Sequence, residues 1–172
     1  MANADRPCGF KKYGYDYPNN RYIAAGTIYP GDMVKQEAGA ANITDFKMRV
    51  AVASDTGALL GVALNYAVAG ESVLVSDHPM QQYTAQGDTA DYDDNADLGT
   101  NTNIVTTSGD ATFKASRQEI DTSDIGTTAT LQLKILGVEN RQDAKNNFGA
   151  NVVLICKINN HQLAGSTGTY GV

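Results

Sequence analysis

Five aspartates, Asp88, Asp91, Asp93, Asp94 and Asp97, lie close together in the chain, and clustered carboxylates are the side chains that hold hard divalent cations. Asp91, Asp93, Asn95 and Asp97 alternate as the first ligands of a calcium loop do. The rest of that loop is missing. Ala96 stands where the sharp turn needs glycine, Thr102 stands where the bidentate glutamate belongs, and no helical pattern flanks the run. Asp91, Asp93 and Asp97 therefore read as part of a solvated acidic loop, and no metal or other cofactor is expected.

Nucleophilic chemistry finds no better footing. His78 and His161, the two histidines, have no nucleophile in a recognisable frame. Gly165-Ser-Thr-Gly168 is not Gly-x-Ser-x-Gly, and no glycine-rich phosphate loop with a lysine follows a strand pattern. The expectation is a protein that is not an enzyme. His78, next to Pro79, reads as a surface residue at a strand end. Cys8 and Cys156 sit near opposite ends of the chain with no metal-ligand spacing. Cys156, inside an apolar run from Val152 to Ile158, reads as buried, and Cys8 as a free thiol.

The other chemistry-bearing run is N-terminal. Tyr13, Tyr15 and Tyr17 alternate in a segment that also holds Arg6, Phe10, Lys11 and Lys12, with Pro7, Pro18 and several glycine or asparagine breakers. Tyrosine supplies contact area at low entropic cost and keeps a polar handle. Residues 1–20 read as an extended arm lying on another surface; the competing reading folds the tyrosines back onto their own domain.

Behind these candidates lies a strand-rich body at 21–172. Gly57 to Pro79 reads as two strands joined at Ala69-Gly70-Glu71, with Leu60, Val62, Leu64 and Tyr66 on one face and smaller residues on the other. Phe46 to Ala53, Ala129 to Ile135 and Val152 to Ile158 alternate in the same way, and Ala111 to Ala115 is a shorter candidate. The stretch at about 84–109 is rich in Asp, Thr, Asn and Gly and reads as one long acidic loop. Roughly eight to ten strand candidates and no long helix point to an all-β fold, a β-sandwich, jelly-roll-like or partly closed barrel, with long loops.

The 172 residues suffice for one independent core, and no run of about 18 apolar residues predicts a membrane span. A net charge of −6 argues against a nucleic-acid partner. The polar N-terminus carries no secretory pattern, so the expected site of synthesis is the cytoplasm. Charge is uneven: Arg6, Lys11, Lys12 and Arg21 crowd the start, whereas Gln86 to Asp110 holds six aspartates and no basic residue.

Several fragments occur in a telling order: Ala4-Asp-Arg-Pro-Cys-Gly-Phe10, Tyr29-Pro-Gly-Asp-Met-Val-Lys35, Leu60-Gly-Val-Ala63 and Ala69-Gly-Glu-Ser-Val-Leu-Val75. Together they resemble the head decoration, or cement, proteins of tailed bacteriophages, over the first half of the chain. The resemblance implies a structural virion protein, made in the host bacterial cytoplasm, that sits on the capsid exterior. It would clamp neighbouring major capsid protein subunits, as a homo-oligomer with a trimer favoured over a dimer. On this view Arg6, Phe10, Lys11, Lys12, Tyr13, Tyr15 and Tyr17 touch the capsid. Two other classes compete: a carbohydrate-binding or adhesive β-sandwich using Tyr83, Tyr92 and the acidic loop, and a tail or baseplate component.

Overall fold

The computed structural model describes residues 3–37, 49–88, 92, 97–140 and 146–164. Phe46 and Met48 of one expected strand, Asp91, Asp93, Asp94 and the glycine-rich tail from Gly165 lie outside them. The described residues form twelve strands: β1 (Lys11–Tyr13), β2 (Asn20–Ala24), β3 (Met33–Gln36), β4 (Arg49–Val52), β5 (Gly61–Ala63), β6 (Ser72–Ser76), β7 (Gln82–Gln86), β8 (Asn101–Thr102), β9 (Ile104–Val105), β10 (Glu119–Ile120), β11 (Leu133–Val138) and β12 (Val153–Ile158). The all-β expectation holds. Among the described residues no helix is long and apolar enough to cross a membrane.

Two bodies of sheet share the work. Strands β2-β4-β3-β5-β6 close into a barrel, in which β2 and β4 run parallel and every other neighbour is antiparallel. A five-stranded antiparallel sheet, β1-β7-β12-β11-β8, stands beside it, and β9 and β10 make a separate pair. Closure removes the barrel's edges, so pairing with other chains is left to the open sheet.

The alternation of side chains explains how the bodies join. On β2, β4 and β6, Tyr22, Ala24, Val50, Val73 and Val75 point into the barrel. On β3, Val34 points in while its neighbour Met33 points out, into a second core with Tyr83, Leu133, Ile135, Leu154, Cys156 and Ile158 of the open sheet. β5 divides similarly, with Ala63 inside and Val62 outside. Successive residues of a strand face opposite ways, so a strand apolar at both positions can bridge two cores.

Four sequence expectations change here. Leu60 and Val62 do not share a face: Leu60 joins the barrel core and Val62 the sheet core, because β5 pairing begins only at Gly61 and the strand alternation does not extend back to Leu60. The acidic stretch is not one loop from 84 to 109, since β7 runs to Gln86 and strands β8 and β9 interrupt its second half. Polar β7 is buried because the N-terminal segment covers it: the Arg6 N–H donates to Gln86 Oε1 at 3.0 Å and Gln86 Nε2 donates to Asp5 Oδ1 at 3.2 Å. Ala111 to Ala115 is a tight turn closed by the Asp110–Ala115 bridge rather than a strand.

The last change concerns residues 1–20. From Asn3 onward they lie on their own domain, with Asn3 bonded to the Asn147 and Ala150 carbonyls and Lys11 to Tyr13 paired along β7. An arm projecting away from the body is not what the sequence builds.

Candidate docking surface

β1 is an edge strand, with β7 on one side only. Just after it, Gly14 takes a φ of 70°, a left-handed turn that glycine adopts without strain, and the chain reverses. Lys12 braces the reversal. Its ammonium bonds the Asp16 carboxylate, the Tyr17 carbonyl at 3.0 Å and Asn19 Oδ1 at 2.9 Å. Gln81 ties the same loop down from the body: its Oε1 accepts from the Tyr17 N–H at 3.2 Å and its Nε2 donates to the Tyr13 carbonyl at 3.1 Å.

The tethering holds a row of rings in fixed order. Tyr17 stacks on His78, with ring centroids 3.9 Å apart and planes 4° from parallel, and Tyr15 meets Tyr17 edge-on at 4.8 Å. Tyr15 is 74% exposed, Tyr13 39% and nearby Met80 58%. The Met80 N–H donates to His78 Nδ1 at 3.1 Å, so the turn after β6 fixes the imidazole that carries the stack. Aromatic side chains held in place before contact lose little entropy on binding, which is why Tyr and Trp dominate interface hot spots.

The seven N-terminal candidates thus divide. Tyr15 and Tyr17 meet on one surface, Tyr13 is partly exposed at the end of β1, and Arg6 and Lys11 are solvent-exposed. Lys12 is a brace rather than a contact. Phe10 is a correction: it is 2% exposed and packs in the sheet core, while its N–H donates to the Gly31 carbonyl at 2.9 Å. An apolar ring beside Gly9, whose backbone packs against Ser116 and Gly31, belongs inside. Sequence reasoning missed His78 and Met80. The only available signal was their place in a Pro-containing turn, and nothing local linked that turn to Tyr17.

The remaining candidates go elsewhere. Tyr83 and Tyr92 are fully buried and offer no face to a sugar. Asp97 lies in a turn where its carbonyl accepts from Thr100, and among the described residues no His, Cys, Asp and Glu side chains group to hold a metal. Asp88 is bonded by the Thr122 N–H at 3.2 Å and by the Thr122 hydroxyl. Cys8 is exposed and unpaired; Cys156 is buried, and burial pushes its thiol up to about 12. No protein-family model matches this chain, and no curated protein matches it in sequence.

Proposed function

We propose that this protein is a structural component of a phage virion that binds the outer surface of the capsid and reinforces contacts between major capsid protein subunits. The observation that carries the proposal is the stacked aromatic row of exposed Tyr15 on half-buried Tyr17 and His78, anchored beside an open sheet edge. The order of the sequence fragments that resemble decoration proteins supports the same reading. Exposed Lys11, on β1 two residues before Tyr13, adds positive charge beside a row that would meet an acidic partner surface. Buried area does the work in such a protein, and a homo-oligomer, a trimer by preference, multiplies modest contacts into avidity.

The test mixes the purified protein with expanded, undecorated capsids and measures occupancy by sedimentation and electron microscopy. Wild type saturates the lattice, whereas Tyr15→Ala combined with Tyr17→Ala weakens binding at least tenfold at an unchanged melting temperature. Full occupancy by the double variant would remove the aromatic row from the reading; no binding by wild type would remove the capsid itself.

A further inference from the structure

A cleft of about 400 Å³ opens between the barrel and the segment after β9, within the roughly 300–1,000 Å³ range of small-molecule sites. Thr27, Tyr29 and Asp32 line it from the barrel side, Thr106 to Gly109 form the facing wall, and Gln118 also borders it. It is distinct in residues from the aromatic row.

The cleft is held by fixed parts. Gly109 approaches the Tyr29 ring so closely that a Cβ there would come within 2.2 Å of Cδ2, so this contact seats one wall against the barrel. The Thr106 N–H donates to Asp55 Oδ1 at 2.9 Å, and its hydroxyl bonds the same oxygen. On the barrel side the Asp32 carboxylate accepts from the Tyr29 N–H at 2.8 Å. Burial raises the Asp32 carboxyl, against the bonds from Tyr29 and Ser116.

One polar group there is left over. Gln118 is 1% exposed, and its Oε1 accepts from the Met33 N–H at 2.7 Å, which fixes the orientation of the amide. Its Nε2 then has no hydrogen-bond partner among the described residues. A buried N–H without an acceptor costs about 1–3 kcal/mol, so an acceptor brought by a ligand is favoured there.

The composition of the lining selects the ligand class. Hydroxyls dominate, from Thr27, Tyr29, Thr106, Thr107 and Ser108, and they both donate and accept. Among the described residues no Lys, Arg or His lines the cleft, and the one carboxylate repels anions, so phosphates and acids are disfavoured. Val52 is the one aliphatic side chain among the described lining residues, while the Tyr29 ring and the threonines add apolar surface beside the hydroxyls, a mixture that suits the two kinds of face on a sugar. We infer that this cleft binds a neutral, hydroxyl-rich small molecule of monosaccharide size, with Gln118 donating to one of its oxygens.

Saturation-transfer NMR on the full chain with glucose, galactose, mannose and N-acetylglucosamine tests this, with glycerol as the minimal polyol. At least one sugar is expected to show transfer with millimolar affinity, reduced at least fivefold in Gln118→Leu. Because Gln118 also supports Met33, Ser108→Trp serves as the second variant; it fills the mouth from an exposed position and leaves the melting temperature unchanged. No transfer to any sugar, transfer unchanged in Ser108→Trp, or transfer to glycerol equal to that of the sugars would overturn the inference.

Discussion

At the residue scale, similar side chains a few positions apart do opposite things. Phe10 and Tyr15 are both N-terminal aromatics, yet one is 2% and the other 74% exposed. Truncating a buried Phe loses its transfer free energy and leaves a cavity, so Phe10→Ala is expected to cost about 3–5 kcal/mol, while Tyr15→Ala stays within about 0.5 kcal/mol. Paired thermal melts check this; equal shifts would contradict the placement. Two ionisable groups set a second expectation. Burial pushes His161 down to about 4, and its Nδ1 accepts the Leu163 N–H at 3.0 Å, so the folded chain keeps it neutral. Unfolding lets it protonate near 6.5, so its contribution is full above that pH and lost as pH falls toward 4. Glu119 runs the other way: burial, then repulsion from Asp5 and Asp88, raises it to about 7. The folded state retains its proton, so stability from Glu119 is present below about 4.5 and lost as pH rises through 7. Glu119→Gln should therefore raise the melting temperature at pH 8, change it little at pH 4.5, and leave a steeper decline on the acid side. A gain confined to low pH would refute this assignment.

At the element scale, period-2 patterns carried most of what the chain declared about itself. β12 follows its alternation, with Leu154, Cys156 and Ile158 turned inward, and the Pro30-Gly31-Asp32 turn falls just before β3. What stayed hidden was long-range. Gln82 to Gln86 looked too polar to be internal because its cover comes from Asp5 and Arg6, some eighty residues away. Phe10 and the tyrosines looked alike because local sequence does not say which side of an edge strand meets a core. Gly61 shows how a small residue can carry an element. A Cβ there would lie 2.1 Å from the Ser76 carbonyl oxygen and 2.9 Å from Asp77 Cα, so β5 and β6 approach too closely for any side chain. The obstacle is backbone and cannot swing away. Gly61→Ala is expected to cost about 3 kcal/mol or more. Gly70, with a φ of 87° and open space around its Cβ position, provides the contrast: Gly70→Ala meets only backbone strain of about 1 kcal/mol. Chemical denaturation of both variants reads the difference, and a tolerated alanine at position 61 would mean the strands sit farther apart than described.

At the scale of the whole molecule, the barrel and the open sheet have separate interiors but common walls. Met33 and Val34 are consecutive, as are Leu59 and Leu60, and Val62 and Ala63; in each pair one side chain enters each core. Melting the sheet would strip the outer face of β3 and β5 and expose Met33, Leu59 and Val62 to water, at roughly 1.5–3 kcal/mol for each large apolar side chain. Melting the barrel would remove the surface on which Tyr83 and Leu154 pack. Loss of the sheet leaves the barrel closed but with Met33, Leu59 and Val62 bared, and loss of the barrel leaves the sheet core open, so the two should unfold together. Calorimetry is expected to show one transition, with an enthalpy of about 120 kcal/mol near 60 °C for 172 residues and a van't Hoff value equal to it. Two resolved transitions, or a van't Hoff enthalpy near half the calorimetric one, would show that the shared strands do not couple the bodies. Coupling also bears on the proposed role. A load on the aromatic row reaches β7 through Gln81 and β1, and the barrel through the core that Met33 and Val62 share with Tyr83. A clamp that yields only as a whole resists outward force better than one whose docking sheet can peel away.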